Sequence, residues 1–241
     1  MKIERVVLHH VRMPLLSPFE TSFGREEQRD CVILRVDSEG LVGWGECVAD
    51  QSPGYSYETA DTAWHVLAEF FLPAVLGGDL RAPADLATRL QPFRGHPLAR
   101  AGLEMALWDL EGKRLGRSLA SLLGGQRERV SVGVSVGIQR DPDTLLQTVA
   151  AYLEDGYRRV KLKIKPGRDV EDVRQVRGRF PELPLQVDAN SAYTLDLAQV
   201  FEAMDDLDLL LIEQPLAEDD LIDHSRLQAR LRTAICLDES I

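Results

Sequence analysis

Four short apolar runs, each closed by a charged residue, decide the fold of this chain: VKLK at 160–163, PLQVD at 184–188, LLLIE at 209–213 and AICLD at 234–238. The closing residues are spaced 25 residues apart, three times in succession, and they are Lys163, Asp188, Glu213 and Asp238. Stretches with helical spacing separate the runs. A period of this size, with one strand and one helix in each unit, predicts consecutive βα units in a parallel sheet or barrel.

This periodicity predicts an α/β fold in which a TIM-type (β/α) barrel domain follows an α+β domain. The run VSVGVSVGIQ at 130–139 is predicted as the first barrel strand, which gives five strands and four helices up to the last residue. Leu-Leu-Gly-Gly at 122–125 ends the preceding helical block and predicts a joint between domains 1–125 and 126–241. In barrels of this type, active sites lie at the carboxyl ends of the strands.

The length of the second domain indicates that the barrel is truncated after about its fifth strand. A complete eight-fold barrel needs about 250 residues by itself, and residues 126–241 cannot close one. An open parallel sheet would leave an apolar edge strand uncovered, which favours aggregation. We therefore expect a fragment, and we keep an open sheet as the alternative.

Composition and charge exclude several classes of protein. The chain is 44% hydrophobic and 28% charged, with a net charge of −11, which argues against nucleic acids and anionic membranes as partners. No run approaches the length of a membrane span, and the N-terminal run MKIERVVLHH has charges where a signal peptide is apolar. The three cysteines form no metal-binding spacing, so reduced thiols in a cytoplasmic protein are the expectation.

The first domain is predicted to consist of strands followed by helices. Strands are predicted at 2–12 and 30–48, the latter a hairpin about Ser38-Glu39-Gly40, and the polar segment SPFETSFG at 17–24 is predicted as a surface loop or as a lid over a ligand. Two helical stripes are predicted to lie in the core, and they are Trp64, Leu67, Phe71 and Val75, and Ala101, Met105, Trp108, Gly112 and Leu115.

Side-chain parity places the charged residues inside the barrel. Successive residues of a strand face opposite ways, and the apolar residues Val160, Leu162 and Ile164 must pack under the helices. The lysines at 161, 163 and 165 then point inward, although Lys165, next to Pro166-Gly167, is better explained as a solvated loop lysine. On the later strands the inward sets are Gln186, Asp188 and Asn190, then Leu209, Leu211 and Glu213, then Cys236 and Asp238.

Three carboxylates converging on one volume need a compensating cation. The lysines could supply it, but an all-oxygen ligand set with room for water and substrate suits Mg²⁺ or a similar hard ion. Such an ion stabilises the negative charge that develops when a proton is removed next to a substrate carboxylate, and a nearby lysine can take that proton. A carboxylate at a strand end can also be a helix cap or a solvated residue. Asn190 and Gln214 are either hydrogen-bonded supports of the site or loop caps.

At these residues the chain resembles the enolase superfamily. The motifs KLKIKPG, QVDANSAYT, LLLIEQPL and ICLDES, in this order, are similar to those of its muconate-lactonizing-enzyme-like branch, and within it of the o-succinylbenzoate synthase and N-acylamino acid racemase group. The N-terminal segments FETSFG, GWGEC and ALWDLEGKRLG fit the same group, so the resemblance covers the whole chain.

The resemblance implies a role for each site residue. Lys163 would be the acid/base lysine and Lys161 would assist it near the substrate carboxylate. Asp188, Glu213 and Asp238 would hold Mg²⁺, with Mn²⁺ or another divalent ion as an alternative. The substrate contacts would come from Ser135, Asn190, Phe19, Phe23 and Tyr55, the last three from capping-domain segments at 17–24 and 50–57. A second lysine of the family, on a sixth strand, would fall about one period past Asp238.

The implied function is abstraction of a proton α to a carboxylate through an enediolate. The outcome would be syn dehydration to o-succinylbenzoate in menaquinone biosynthesis, racemisation of an N-acylamino acid such as an N-succinylamino acid, or both. Dipeptide epimerase and muconate cycloisomerase are the alternatives in the same superfamily, and an inert fragment or subunit is the alternative that is not an enzyme. The expected partners are a small carboxylate substrate and further copies of the same chain.

Overall fold

The computed structural model describes residues 1–241 and divides them into two units. The first unit comprises Met1–Pro14 and Gln28–Glu128, and the second comprises Leu15–Glu27 and Arg129–Ile241. A boundary between residues 125 and 126 stays a prediction, since the two units change over at Glu128 and the second one also includes Leu15–Glu27. Each unit has a separate hydrophobic core.

Three strands in sequential order form the sheet of the first unit: β1 (Arg5–Thr21), β2 (Gly24–Ser38) and β3 (Leu41–Cys47). The predicted hairpin about Glu39-Gly40 is confirmed, because β2 and β3 pair antiparallel up to Ser38 and Leu41. Glu39 and Gly40 both have positive φ angles, 51° and 79°, as the tight turn of a two-residue hairpin requires.

The prediction of a loop at 17–24 is wrong. β1 continues through Thr21 and β2 begins at Gly24, so only Ser22 and Phe23 form the turn of a long two-stranded ribbon. Pairing within the ribbon satisfies main-chain groups that an irregular loop would leave to water. The end of this ribbon, Leu15–Glu27, belongs to the second unit.

Helices complete the first unit. A helix beginning with α1 (Ala60–Val66) passes through a π-helical segment (Leu67–Phe71) into α2 (Leu72–Val75). Of its predicted core stripe, Leu67, Phe71 and Val75 are buried, whereas Trp64 is exposed. The remaining helices are α3 (Asp85–Arg89), α4 (Pro97–Leu115) and α5 (Leu119–Leu122).

The predicted core stripe of α4 is wrong. Met105 and Leu115 are exposed, and the buried face carries Ala99, Gly102, Leu103, Ala106, Leu107 and Leu110. Strand β3 explains this choice, because its backbone lies very close to the helix. A Cβ atom added to Gly45 would lie 2.1 Å from the carbonyl oxygen of Gly102. Gly102 and Ala106 on the buried face leave room for this approach.

The second unit alternates strands and helices around a parallel sheet. Its strands are β4 (Val134–Val136), β5 (Val160–Lys163), β6 (Leu185–Asp188), β7 (Leu209–Glu213) and β8 (Ile235–Cys236), in sequential order. Between them lie α6 (Pro142–Glu154), α7 (Val170–Arg179), a 3₁₀ turn (Leu195–Leu197) leading into α8 (Ala198–Glu202), and α9 (Leu221–Gln228). The prediction of five parallel strands with four intervening helices is confirmed.

Two details of these strands differ from the prediction. β4 is shorter than the predicted strand at 130–139, and Val130 and Val132, within the predicted range, are exposed. On β7, side-chain parity predicts Leu209 inside the barrel, whereas the structure places it in the core with Ile212. The cause is a bulge, since Leu185 pairs with Leu209 and Val187 pairs with Ile212, so β7 has one residue more than β6 between these pairs.

No helix of either unit combines the length and the apolar character that crossing a membrane would require.

Candidate active site

The strand register brings the predicted charged residues to one edge of the parallel sheet. Lys163 pairs with Asp188, and Asp188 pairs with Glu213. Glu213 pairs with Cys236, two residues before Asp238. Because the four strands are parallel and these residues pair across neighbouring strands, their carboxyl ends meet at the same edge, and the equal spacing in the sequence becomes closeness in space.

The three carboxylates form one cluster. One oxygen from each of Asp188, Glu213 and Asp238 lies within 4.8 Å of the others. Asp188 is fully buried, Glu213 is almost buried, and Asp238 is half-buried. Carboxylates brought so close repel one another unless positive charge is nearby, and such a set of hard oxygen donors suits Mg²⁺.

Two lysines of β5 lie against this cluster. Lys163 Nζ is 2.6 Å from Asp188 Oδ2 and donates a hydrogen bond to Asn190 Oδ1 at 2.9 Å. Lys161 Nζ lies 2.9 Å from the same Asp188 oxygen and 2.7 Å from Glu213 Oε1. Asp188 therefore accepts from both lysines, whereas Glu213 accepts from Lys161.

These contacts shift the titration of the acids in opposite directions. Burial alone would raise the pKa of Asp188, but the charges and hydrogen bonds of Lys163 and Lys161 outweigh it and the pKa is lowered. The pKa of Glu213 is raised, chiefly by burial and by the negative charge of Asp188, against the hydrogen bond from Lys161. Burial lowers the pKa of Lys161, but its bonds to Glu213 and Asp188 prevail and the net shift is upward.

Two buried amides follow the strand ends and hold the loop after β8. Asn190 and Gln214 both have left-handed backbones, with φ of 42° and 36°. Gln214 accepts from the main-chain N–H of Asp238 at 2.8 Å and donates to the hydroxyl of Ser240 at 2.7 Å. Asn190 donates its main-chain N–H to Asp188 Oδ1 at 3.0 Å. Both amides therefore position the residues around the carboxylates.

Glu239 belongs to the site although the sequence reasoning gave it no role. Its Oε1 accepts a hydrogen bond from Asn190 Nδ2 at 2.9 Å, and its Oε2 is buried without a partner in the protein. Burial raises the pKa of Glu239, with the charges of Asp238 and Asp188 adding to the shift against the bond from Asn190. The signal in the sequence is its position directly after Asp238, the last of the four evenly spaced charged residues, in LDES at 237–240.

Ser135 lies beside the lysine pair. It pairs with Lys161 across β4 and β5, and its hydroxyl oxygen is buried without a partner in the protein. Both residues line a cavity of about 190 Å³, together with Gln186. A buried hydroxyl without a partner is available to a polar ligand, and the predicted substrate role of Ser135 stays a prediction.

The end of the β1–β2 ribbon is bonded to the loops after the barrel strands. Glu20 accepts from the main-chain N–H of Ile138 at 2.9 Å, and its carboxylate lies 2.8 Å from Lys165 Nζ. Ser22 donates its hydroxyl to the carbonyl of Asn190 at 3.0 Å. Lys165 lies in the loop after β5 with a partly exposed side chain, as expected, and in addition it pairs with Glu20.

The three aromatic residues predicted to contact substrate lie on β1, in the turn of the ribbon and before α1. Phe19 packs near Gly137, where an added Cβ would come within 3.2 Å of the ring. Phe23 is half-exposed in the turn of the ribbon. Tyr55 is half-exposed in the first unit, before α1. Their contacts with substrate stay predictions.

Comparison with known proteins agrees with this geometry. The model of the mandelate racemase / muconate lactonizing enzyme N-terminal domain matches residues 2–124, and that of the enolase C-terminal domain-like family matches residues 144–241. The o-succinylbenzoate synthase of Geobacillus kaustophilus is 51% identical over 99% of this chain and 64% of its own length. The N-succinylamino acid racemase of Thermus thermophilus is 52% identical over 100% of this chain and 65% of its own length.

Solved structures give the same result. A member of the enolase superfamily from Listeria innocua superposes with a TM-score of 0.95 at 40% identity, over 100% of this chain and 65% of that one. The dipeptide epimerase from Enterococcus faecalis, complexed with Mg and the dipeptide L-Leu-L-Tyr, superposes with a TM-score of 0.90 at 27% identity, over 100% of this chain and 69% of that one. The chain thus spans about two thirds of the length of the proteins it matches. The two family models match both of its units, and the three carboxylates of Asp188, Glu213 and Asp238 lie together. The chain therefore belongs to the mandelate racemase / muconate lactonizing enzyme family of the enolase superfamily.

Proposed function

We propose that the protein containing this chain is a Mg²⁺-dependent enzyme that removes a proton α to a substrate carboxylate, as an o-succinylbenzoate synthase, an N-succinylamino acid racemase, or both. The observation that carries the proposal is the cluster of three carboxylates within 4.8 Å of one another, with Lys161 and Lys163 against it, at the carboxyl edge of the parallel sheet. That combination of an oxygen-ligand set and an amine is what the chemistry requires.

Asp188, Glu213 and Asp238 fit a divalent ion, since three carboxylates in one small volume supply hard oxygen donors and the negative charge to hold it. Mg²⁺ is the proposed ion, with Mn²⁺ or another divalent ion as the alternative. When bound, such an ion stabilises the negative charge that develops on the substrate carboxylate as the proton leaves.

The lysines perform the proton transfer and the binding. Lys163 Nζ, almost buried, is the base, and it must be neutral to accept the α-proton. Lys161, which lies against Asp188 and Glu213, binds the substrate carboxylate. Asn190 orients Lys163 through its 2.9 Å hydrogen bond, and Ser135 offers its unpartnered hydroxyl to the substrate.

The fate of the enediolate determines the reaction. Lys163 can return its proton to a departing hydroxyl group, which gives dehydration to o-succinylbenzoate. Reprotonation at the same carbon from the opposite face gives racemisation and needs a second acid. Relatives of both names resemble this chain to a similar extent, at 51% and 52% identity, which supports both reactions. Dipeptide epimerisation is the second candidate, supported by the TM-score of 0.90 with the dipeptide epimerase.

The substrate is a small carboxylate, and we propose a cytoplasmic homo-oligomer. The three cysteines are free, as they would be in a reducing compartment.

Proton exchange in D₂O tests the proposal. The full-length protein, Mg²⁺ and an N-succinylamino acid are mixed, the α-proton is followed by NMR, and dehydration of the cyclohexadiene substrate is measured in parallel. We expect the Lys163→Ala variant to lose about 10²- to 10⁴-fold of the rate, the usual contribution of a general base. Lys2→Ala, which removes an exposed lysine of the first unit, is the matched control. Absence of exchange and of dehydration in the wild type would refute the function.

A further inference from the structure

The side-chain amide of Asn190 has a donor end and an acceptor end, and the structure uses each for a different partner. Its Oδ1 accepts from Lys163 Nζ at 2.9 Å, and its Nδ2 donates to Glu239 Oε1 at 2.9 Å. A lysine amine in its charged form can only donate hydrogen bonds. A half-turn of the amide would therefore place two donors face to face and remove the bond to Lys163.

The backbone of Asn190 is fixed independently of this amide. Its main-chain N–H donates to Asp188 Oδ1 at 3.0 Å, and its carbonyl accepts from the hydroxyl of Ser22 at 3.0 Å. Its φ of 42° is a conformation that asparagine tolerates better than most residues. The rotation of the terminal amide is thus the freedom that remains, and its partners are Lys163 at one end and Glu239 at the other.

Glu239 is difficult to explain as a stabilising residue. One carboxylate oxygen has Asn190 as its partner, while the other is buried without a partner in the protein. A buried carboxyl group with an unsatisfied oxygen costs stability. The charges of Asp188 and Asp238 beside it add repulsion. A residue kept at such a cost points to a role in the site.

We propose that Glu239 is a positioning residue for Lys163: by accepting from Asn190 Nδ2, it fixes the amide so that Asn190 Oδ1 faces the lysine amine. This inference rests on the proposed function for its kinetic consequences but not for its geometry. Glu239 acts through an acceptor oxygen rather than through its charge, and it acts through Asn190 rather than on the substrate.

Two substitutions at position 239 separate acceptor from charge. Glu239→Gln keeps an acceptor oxygen and removes the charge, so we expect it to lose no more than about fivefold in kcat, the order of one hydrogen bond. Glu239→Leu removes both, and we expect kcat to fall about ten- to a hundredfold, as for other residues that orient a site from outside it. The substrate KM and the Mg²⁺ dissociation constant, from calorimetry, should change much less than kcat. Equal losses in the two variants, or a loss of Mg²⁺ affinity as large as the loss of kcat, would overturn the proposal.

A double-mutant cycle tests whether the effect passes through Asn190. In the Asn190→Ala background, Glu239→Leu should lower kcat no further, because the group it positions is gone. Additive losses in the double variant would contradict the proposal.

A measurement without substrate keeps the geometry testable whatever the activity. In the wild type, NMR should show slow hydrogen exchange of the Asn190 side-chain amide protons, and Glu239→Leu but not Glu239→Gln should accelerate it. If the wild type neither exchanges nor dehydrates substrate, the proposed function fails, and the amide measurement still decides the contact. Amide protons that exchange equally fast in all three proteins would refute the positioning role.

Discussion

Asp188 combines complete burial with two cationic partners. Its Oδ2 lies 2.6 Å from Lys163 Nζ and 2.9 Å from Lys161 Nζ, and both ammonium groups are mostly buried. The attraction to two lysines outweighs the burial of the carboxylate, which is why the pKa of Asp188 is lowered.

Replacing Asp188 should therefore destabilise the protein in the absence of metal. In Asp188→Asn the two lysines lose their shared negative partner, and breaking a buried ion pair costs about 3–5 kcal/mol. Relief of the repulsion with Glu213 offsets part of this, so we expect the free energy of unfolding, from urea denaturation, to fall by about 3 kcal/mol. Asp196→Asn, which removes an exposed acid of the same unit, is the control. Equal stabilities of the two variants would contradict the role of the lysine contacts.

The carboxylate cluster could be predicted from the sequence because the spacing of residues and their side-chain parity are local properties. Strands of equal period in a parallel sheet must present equivalent residues at one edge, so the convergence of Lys163, Asp188 and Glu213 follows once the βα pattern is recognised. Glu239 was missed because its partner Asn190 lies 49 residues earlier, on the loop after another strand. The ion pair of Lys165 with Glu20 is not predictable from local spacing either, since Glu20 lies on the β1–β2 ribbon.

At the scale of elements, the contact of β3 with α4 shows why a hydrophobic stripe can mislead. Helix α4 carries two stripes at helical spacing, and the one with larger side chains, including Met105, faces outward. The buried stripe is chosen by close backbone approach, to which Gly43 and Gly45 on β3 and Gly102 on α4 contribute. Hydrophobicity alone does not contain that information.

Gly45→Ala should strongly destabilise the first unit. The new Cβ would lie 2.1 Å from the carbonyl oxygen of Gly102 and 2.7 Å from the main-chain nitrogen of Ala106. Both atoms belong to a helix backbone that cannot move alone, so we expect a loss of at least about 3 kcal/mol in the free energy of unfolding. Gly54→Ala, at a site with no atom within 4 Å, should change it by less than about 1 kcal/mol. Similar effects of the two substitutions in chemical denaturation would contradict the close packing.

Asp205 ties the segment before β8 to the segment after α8. Its carboxylate accepts from the main-chain N–H groups of Thr233 at 2.8 Å and Arg232 at 3.0 Å. Burial alone would raise the pKa of Asp205, but these bonds outweigh it and lower the pKa from 3.8 to about 2. Since the folded-state pKa is the lower one, the stabilisation is complete above about pH 4 and is lost as the pH falls toward 2.

Asp205→Ala should consequently destabilise the protein in a pH-dependent way. At pH 7 we expect the free energy of unfolding to drop by about 1–3 kcal/mol, because two main-chain donors lose their acceptor. At pH 3 the wild type has already lost part of this contribution, so the difference between the two proteins should shrink. Urea titrations at both pH values measure it. A difference that stays constant or grows on acidification would show that the charge of Asp205 is not what stabilises the segment.

At the scale of the whole molecule, the chain has two separate cores and one carboxylate site. The core of the first unit and the core of the second share no residue. All three carboxylates lie in the second unit, at the ends of strands whose other residues fill its core. Binding of an ion to these residues thus acts on the core of the second unit directly.

Hydrogen exchange resolved by peptide should show this coupling. At a Mg²⁺ concentration of 100 times its dissociation constant, binding to the folded state adds about 2.7 kcal/mol to its stability. We expect amide exchange to slow in peptides from β5, β6 and β7, whose strands carry or adjoin the ligands. It should change much less in α4, which packs in the other core.

Asp238→Asn removes a proposed ligand and should abolish the slowing. If α4 were slowed as much as the strands of the second unit, the two cores would unfold as one. If Asp238→Asn responded to Mg²⁺ like the wild type, Asp238 would not be among the ligands.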